Sequence, residues 1–123
     1  MEREKAKSFR DLIVWQKAHA LVLSVYRESK FFPKEELFGL VSQMRRSAVS
    51  VAANIAEGFK KKGKPDKLRF LNISQGSLSE TEYYTILSKD LKYCETNDLM
   101  IMTNEVGRLL ESYMKAISNN SKS

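Results

Sequence analysis

The sequence predicts an all-α fold: an antiparallel up-down-up-down four-helix bundle. Three observations predict it. Apolar residues recur at alternating steps of three and four through most of the chain, the period of a helix buried on one face. Only two prolines and five glycines interrupt 123 residues. Both prolines, Pro33 and Pro65, stand where one apolar pattern stops and the next begins. No strand-like alternation competes.

The first helix is expected over residues 8–30. Leu12, Trp15, His19, Val22 and Tyr26 trace one face, and Ile13, Val14, Ala18, Ala20, Leu21, Leu23 and Val25 fill the others. Eleven of the fifteen residues from Leu12 to Tyr26 are apolar, so this helix needs cover on more than one side. Phe31-Phe32-Pro33 ends it, because proline disfavours helical geometry in the residue before it.

Pro33 then opens a second helix over residues 34–61, with Glu35 and Glu36 at the positive end of its dipole. Its core face reads Leu37, Val41, Met44, Ala48, Val51, Ile55 and Phe59, and Ala48, Ala52 and Ala56 form a ladder of small residues. Lys60 to Lys62 followed by Gly63 make a stop. Lys64-Pro65-Asp66 restarts the chain as a third helix over residues 65–92. One face carries Leu68, Leu71, Gln75, Leu78, Glu82 and Thr85, and the adjoining one Phe70, Ile73, Ser77, Tyr84, Leu87 and Leu91. The weak helix formers Gly76-Ser77-Leu78-Ser79 must be held helical by packing, a turn or strand being the rival reading. Thr96 or Asn97 caps a fourth helix over residues 97–117, in which Leu99, Met102, Val106, Leu109 and Tyr113 share a face. The polar tail 118–123 is expected to fray.

At this length the chain is expected to be one domain, residues 1–123, burying roughly 65% of what the unfolded chain exposes. Apolar residues make up 42% and charged residues 29%, which excludes wholesale disorder. A lone cysteine, Cys94, has no internal disulfide partner. The charged N-terminus lacks the apolar run of a signal peptide, and no stretch approaches the roughly 20 apolar residues of a membrane span. A cytoplasmic protein that does not engage a membrane is expected.

No active site, metal or cofactor is expected. Di-metal bundles need paired Glu-x-x-His motifs, and the single histidine, His19, has Gln16 and Val22 three residues away. One Cys and one His cannot complete a zinc site. His19 is expected as a packed, hydrogen-bonded side chain. Glu57, Glu80 and Glu82 are expected either to pair with Arg45, Arg46 or Arg69 or to cap solvent-exposed edges, rather than to form a carboxylate group between the second and third helices. The five glycines form no phosphate-cradling loop.

Two features point outward instead. The formal charge of +6 is concentrated in Lys60, Lys61, Lys62, Lys64, Lys67 and Arg69, six cations against Asp66 alone. Such a cluster at a helix–helix turn attracts phosphate backbones, with Arg45 and Arg46 as further contributors if exposed. The alternative is a solubilising loop that complements the helix dipole. Along the second helix Gln43, Arg46, Ser50, Asn54 and Glu57 trace a polar stripe: either a solvated face or a seam between subunits. Trp15 and Leu21 join that stripe as candidate interface residues, because the first helix is too apolar for an isolated bundle.

Several phrases together resemble a known family. They are Phe9-Arg10-Asp11-Leu12-Ile13-Val14-Trp15-Gln16-Lys17-Ala18, Phe32-Pro33-Lys34-Glu35-Glu36-Leu37-Phe38-Gly39-Leu40 and Gln43-Met44-Arg45-Arg46-Ser47-Ala48-Val49-Ser50. They continue with Asn54-Ile55-Ala56-Glu57-Gly58 and Arg69-Phe70-Leu71-Asn72-Ile73-Ser74-Gln75-Gly76-Ser77-Leu78-Ser79-Glu80. In this order, across Phe9 to Tyr113, they resemble the bacterial four-helix bundle proteins known as 23S rRNA-intervening-sequence or S23 ribosomal proteins. The sequence is also similar to the accessory variability proteins of diversity-generating retroelements. The resemblance implies a ring-shaped homopentamer with no established enzymatic activity. Ser47 and Ser74 stand where relatives commonly carry alanine, and the basic turn varies among them, so RNA binding is not implied residue by residue. The leading expectation is a non-enzymatic homo-oligomer that binds nucleic acid, RNA ahead of DNA. The alternative is a protein–protein adaptor ring that does not touch nucleic acid.

Overall fold

The computed structural model describes residues 5–120. Four helices follow one another: α1, Ile13–Ser29; α2, Leu40–Lys60; α3, Lys64–Asp90; and α4, Asn97–Ser118. Each packs on its neighbours in chain order and α4 closes back on α1, while the backbones of the diagonal pairs stay apart. Short connections make consecutive helices antiparallel. Two cross-links show it: Arg45 Nε, near the start of α2, donates to Ser29 Oγ at the end of α1 at 2.9 Å. Lys64 Nζ, at the start of α3, donates to the Ser118 carbonyl at the end of α4 at 3.2 Å.

The first two helices start later than the sequence suggests, for one reason. Each is preceded by a short 3-10 turn that its leading residues prefer. Ser8 caps Phe9–Asp11, its Oγ accepting the Arg10 N–H at 3.1 Å while Asp11 Oδ2 accepts the Ser8 N–H at 3.1 Å. Leu12 then turns extended and α1 begins. Pro33 likewise opens only Lys34–Glu36, leaving Leu37 outside α2 and exposed rather than in the core. Glu36 caps α2 from below: its Oε1 accepts the Leu40 N–H at 3.2 Å. Gly39 sits close to this cap: a Cβ there would stand 3.0 Å from the same Oε1, so the Glu36 side chain would have to shift by a few tenths of an ångström.

The weak helix formers of α3 are helical throughout. The helix ends two residues early, where Lys92 adopts a left-handed conformation (φ 64°). Tyr93 N–H returns to the Ser88 carbonyl and Lys92 N–H to the Lys89 carbonyl, both at 2.9 Å, which closes the last turn. Thr96 precedes α4 as expected, but its side chain makes no cap hydrogen bond. Residues 121–123 of the expected frayed tail lie outside the described residues.

Apolar side chains from α1 (Val14, Ala18, Leu21, Val25), α2 (Val41, Met44, Ala48, Val51, Ile55) and α4 (Leu99, Val106, Leu110) fill the core. From α3 only Leu71 and Leu78 join them; Ser74, Ser77, Thr81, Thr85 and Ser88 complete its buried face. That face departs from the apolar pattern, which left Ile73 and Leu91 exposed. The hydroxyls are tolerated because each finds a partner. Thr81, Thr85 and Ser88 donate to carbonyls one turn back, at 2.7 to 2.9 Å.

The same hydroxyls join α3 to α2. Ser47 Oγ and Thr81 Oγ1 share a hydrogen bond of 2.8 Å, Ser50 Oγ and Ser77 Oγ one of 2.7 Å, and Ser74 Oγ donates to the Val51 carbonyl at 2.7 Å. Among the described residues no buried side-chain nitrogen or oxygen lacks a partner. Farther along, a Cβ on Gly58 would lie 3.3 Å from the Lys67 carbonyl and 3.4 Å from Phe70 Cβ. Small side chains thus let the two backbones approach closely.

Candidate nucleic-acid interface

The α2–α3 turn projects from one end of the bundle, and its cations divide into two groups. Lys64 and Lys67 are committed to the fold. Lys64 Nζ donates to the Ser118 and Asn120 carbonyls at 3.2 and 2.7 Å. Lys67 Nζ donates to the Phe59 carbonyl at 2.8 Å, with Gly58 O at 3.4 Å. Both sites are helix C-termini, where carbonyls carry the negative end of the dipole. Partial burial lowers the Lys67 pKa from its ordinary value.

The second group faces solvent. Lys60 and Lys62 are exposed and form no ion pair among the described residues. Lys61 pairs with Glu57 at 3.3 Å and Arg69 with Asp66 at 3.5 Å, both within one turn of helix and at the surface, where such pairs contribute about 0–1 kcal/mol. Two aromatic rings are interleaved with these cations. Lys61 Nζ and the Arg69 guanidinium lie 5.0 and 4.6 Å from the centroid of Phe70, and Lys67 Nζ 5.5 Å from that of Phe59.

Arg45 and Arg46 do not join the patch. They stand roughly 20 Å up α2 from Lys60, at the helical rise of about 1.5 Å per residue. Arg45 is held by Ser29 Oγ and lies 4.6 Å from the centre of the Tyr26 ring. Among the described residues Glu57, Glu80 and Glu82 make no ion pair with Arg45, Arg46 or Arg69; Glu57 takes Lys61, and Arg69 takes Asp66.

The polar stripe of α2 splits. Gln43, Arg46 and Glu57 are exposed. Ser50 and Asn54 belong to the intrachain seam: Asn54 Nδ2 donates to the Ser50 carbonyl at 2.9 Å and to its Oγ at 3.0 Å. Leu21, expected at a subunit interface, is fully buried in the bundle's own core. Trp15 is half-buried, with Phe9 edge-on at 5.1 Å. His19 is exposed and stacked flat on Trp15 at 5.0 Å, rather than packed in the interior with a hydrogen bond.

Phe59 and Phe70 belong to the basic end, which apolar spacing does not reveal: each stands next to a cation in the chain, but spacing puts Phe59 on the core face of the second helix and Phe70 on an apolar stripe of the third. The aromatic character of the other end is equally hidden, where Phe31 is 80% and Phe38 92% exposed.

Among the described residues no group of three or more His, Cys, Asp or Glu side chains is placed to hold a metal ion. One surface groove, about 830 Å³ between the N-terminal segment and α4, is lined by Asp11, Leu12, Tyr113 and neighbours, with no histidine or cysteine. No described helix is long and apolar enough to cross a membrane.

These features define a class: an all-α four-helix bundle with a cationic interhelical turn. The family model of the 23S rRNA-intervening sequence protein matches residues 10–113, and the chain belongs to that family. Its fold is similar to the crystal structure of a protein of unknown function from the S23 ribosomal protein family of Bacteroides thetaiotaomicron. The two share 27% identity at a TM-score of 0.75, over 84% of this chain and 96% of that one. No curated protein matches the chain.

Proposed function

We propose that this chain is a non-enzymatic, homo-oligomeric RNA-binding protein of the cytoplasm, whose basic turn contacts phosphates. The observation that carries the reading is the pair of exposed cations Lys60 and Lys62, which form no ion pair among the described residues, beside Lys61 and Arg69, on one end of the bundle. Weak surface pairing leaves Lys61 and Arg69 available to a polyanion. Lys64 and Lys67 serve as helix caps and add to the local field. The family's name, which ties it to intervening sequences of 23S rRNA, supports RNA over DNA.

Assembly would compensate for the small number of cations, since each copy repeats the patch and a multivalent ligand gains avidity. Support for assembly comes from outward apolar residues such as Leu23 and Tyr83, 52% and 57% exposed. A homopentamer is the proposed state. Base readout has no evident source at the turn, so weak sequence preference is expected.

The test is charge reversal. A Lys60→Glu/Lys62→Glu variant should lose RNA retention on a filter while keeping its oligomer size. Retention equal to the parent protein overturns the reading. One observation favours an adaptor instead: the exposed Phe31 and Phe38 at the opposite end suit a protein partner. That reading requires a purified protein that ignores RNA at physiological salt yet recovers a specific protein partner from lysate.

A further inference from the structure

Arg69 and Phe70 are consecutive on α3, about 100° apart around the helix, so their side chains do not meet by default. The Arg69 side chain nevertheless folds back until its guanidinium carbon is 4.6 Å from the centroid of Phe70. Asp66 Oδ1, one turn earlier, lies 3.5 Å from Arg69 Nη2, a weak surface pair. The arginine side chain remains 61% exposed. Long cationic side chains often cover an apolar ring with their methylenes alone. That accounts for Lys61, whose side chain is 33% exposed and whose ammonium is paired with Glu57. Arg69 differs: its planar guanidinium itself lies over the ring, in cation–π contact, and stays open to solvent.

A guanidinium plane stacks on nucleobases as well as on aromatic rings. We infer that Arg69, supported by Phe70, is a stacking platform for an unpaired nucleobase, so that the basic turn takes single-stranded rather than duplex nucleic acid. Lys60 and Lys62 then follow the phosphates on either side. A duplex keeps its bases stacked internally and offers this turn phosphates only. A flexible strand offers both chemistries at the spacing of neighbouring nucleotides. This inference rests on the nucleic-acid reading above.

The experiment compares the affinity of a single strand of about twelve nucleotides with that of its own duplex, within the usual site-size range. The parent protein should prefer the single strand by about five-fold or more, the effect of one stacked base. Arg69→Lys keeps the charge but removes the plane, and should bring the ratio of the two affinities close to one. Phe70→Leu, which removes the support and keeps the apolar contact, should move the ratio the same way, with helicity checked by circular dichroism. Lys60→Glu/Lys62→Glu should weaken both ligands together. Duplex bound as tightly as single strand by the parent protein, or a ratio unmoved in Arg69→Lys, overturns the inference and leaves the phosphate-binding reading standing. A parent protein that binds neither ligand overturns both.

Discussion

Tyr93 joins the two connections at the end of the bundle opposite the basic turn. Its ring lies 5.4 Å from that of Phe32, and its hydroxyl donates to Glu36 Oε2 at 2.9 Å while Oε1 of the same carboxylate caps α2. That hydrogen bond, then burial and the charges of Glu36 and Glu35, raise the phenol above its usual pKa of 10.0. The folded chain therefore holds the proton more tightly than the unfolded one. The resulting stabilisation is complete below the unfolded value and is lost as pH rises through the folded one. Tyr93→Phe should lower stability at neutral pH and flatten the decline above pH 10, read from urea unfolding at several pH values. Tyr113, raised by burial alone, keeps its share of that decline. An unchanged slope would show that the Tyr93–Glu36 bond is absent in solution. None of this was legible in the sequence, because Tyr93 and Glu36 are far apart in the chain. The position of Pro33 places Glu36 inside the second helix, whereas it stands in the turn before α2 and caps it.

At the scale of elements, α3 separates what apolar periodicity reveals from what it hides. Its existence and extent were legible from Pro65, the apolar spacing and the following turn. Its buried face was not. Serine and threonine count as polar in any apolar pattern, yet Ser74, Thr81, Thr85 and Ser88 are fully or almost fully buried because the helix's own carbonyls and α2 accept their protons. Ser74, Ser77 and Thr81 also bond across to α2 and so fix how the two helices register: a slip along the seam would take the acceptor from the buried Ser74 hydroxyl, at about 1–3 kcal/mol. Two glycines distinguish the faces of this pair. Gly76 is exposed with nothing within 4 Å of an added Cβ, so Gly76→Ala should stabilise the fold by about 1 kcal/mol. Gly58 sits at the close approach, and Gly58→Val should destabilise by about 1–3 kcal/mol through overpacking. Thermal and urea unfolding of the two variants test both signs. Stabilisation by Gly58→Val would contradict the close approach of α2 and α3.

The whole molecule presents its charge at one end and its exposed aromatics at the other. The position of the basic turn was legible, because a cluster of lysines between two helical patterns has to lie at a helix–helix connection. Which lysines cap carbonyls was not, since that depends on where α2 and α4 end beside the start of α3. The apolar outer faces make the oligomer testable directly. Light scattering at micromolar concentration should report a particle several times the 14.2 kDa chain. A stable particle of that single mass would undo the proposed assembly. The clasp between Lys64 and the end of α4, and the contact of Phe9–Asp11 with α2, have a topological consequence. An even number of antiparallel helices returns the chain to the end it started from, so both ends of the described chain emerge beside the basic turn. Any domain or tag joined there would stand next to the cations and compete with a long ligand for access. One inserted between α3 and α4 would project from the far end and leave them clear.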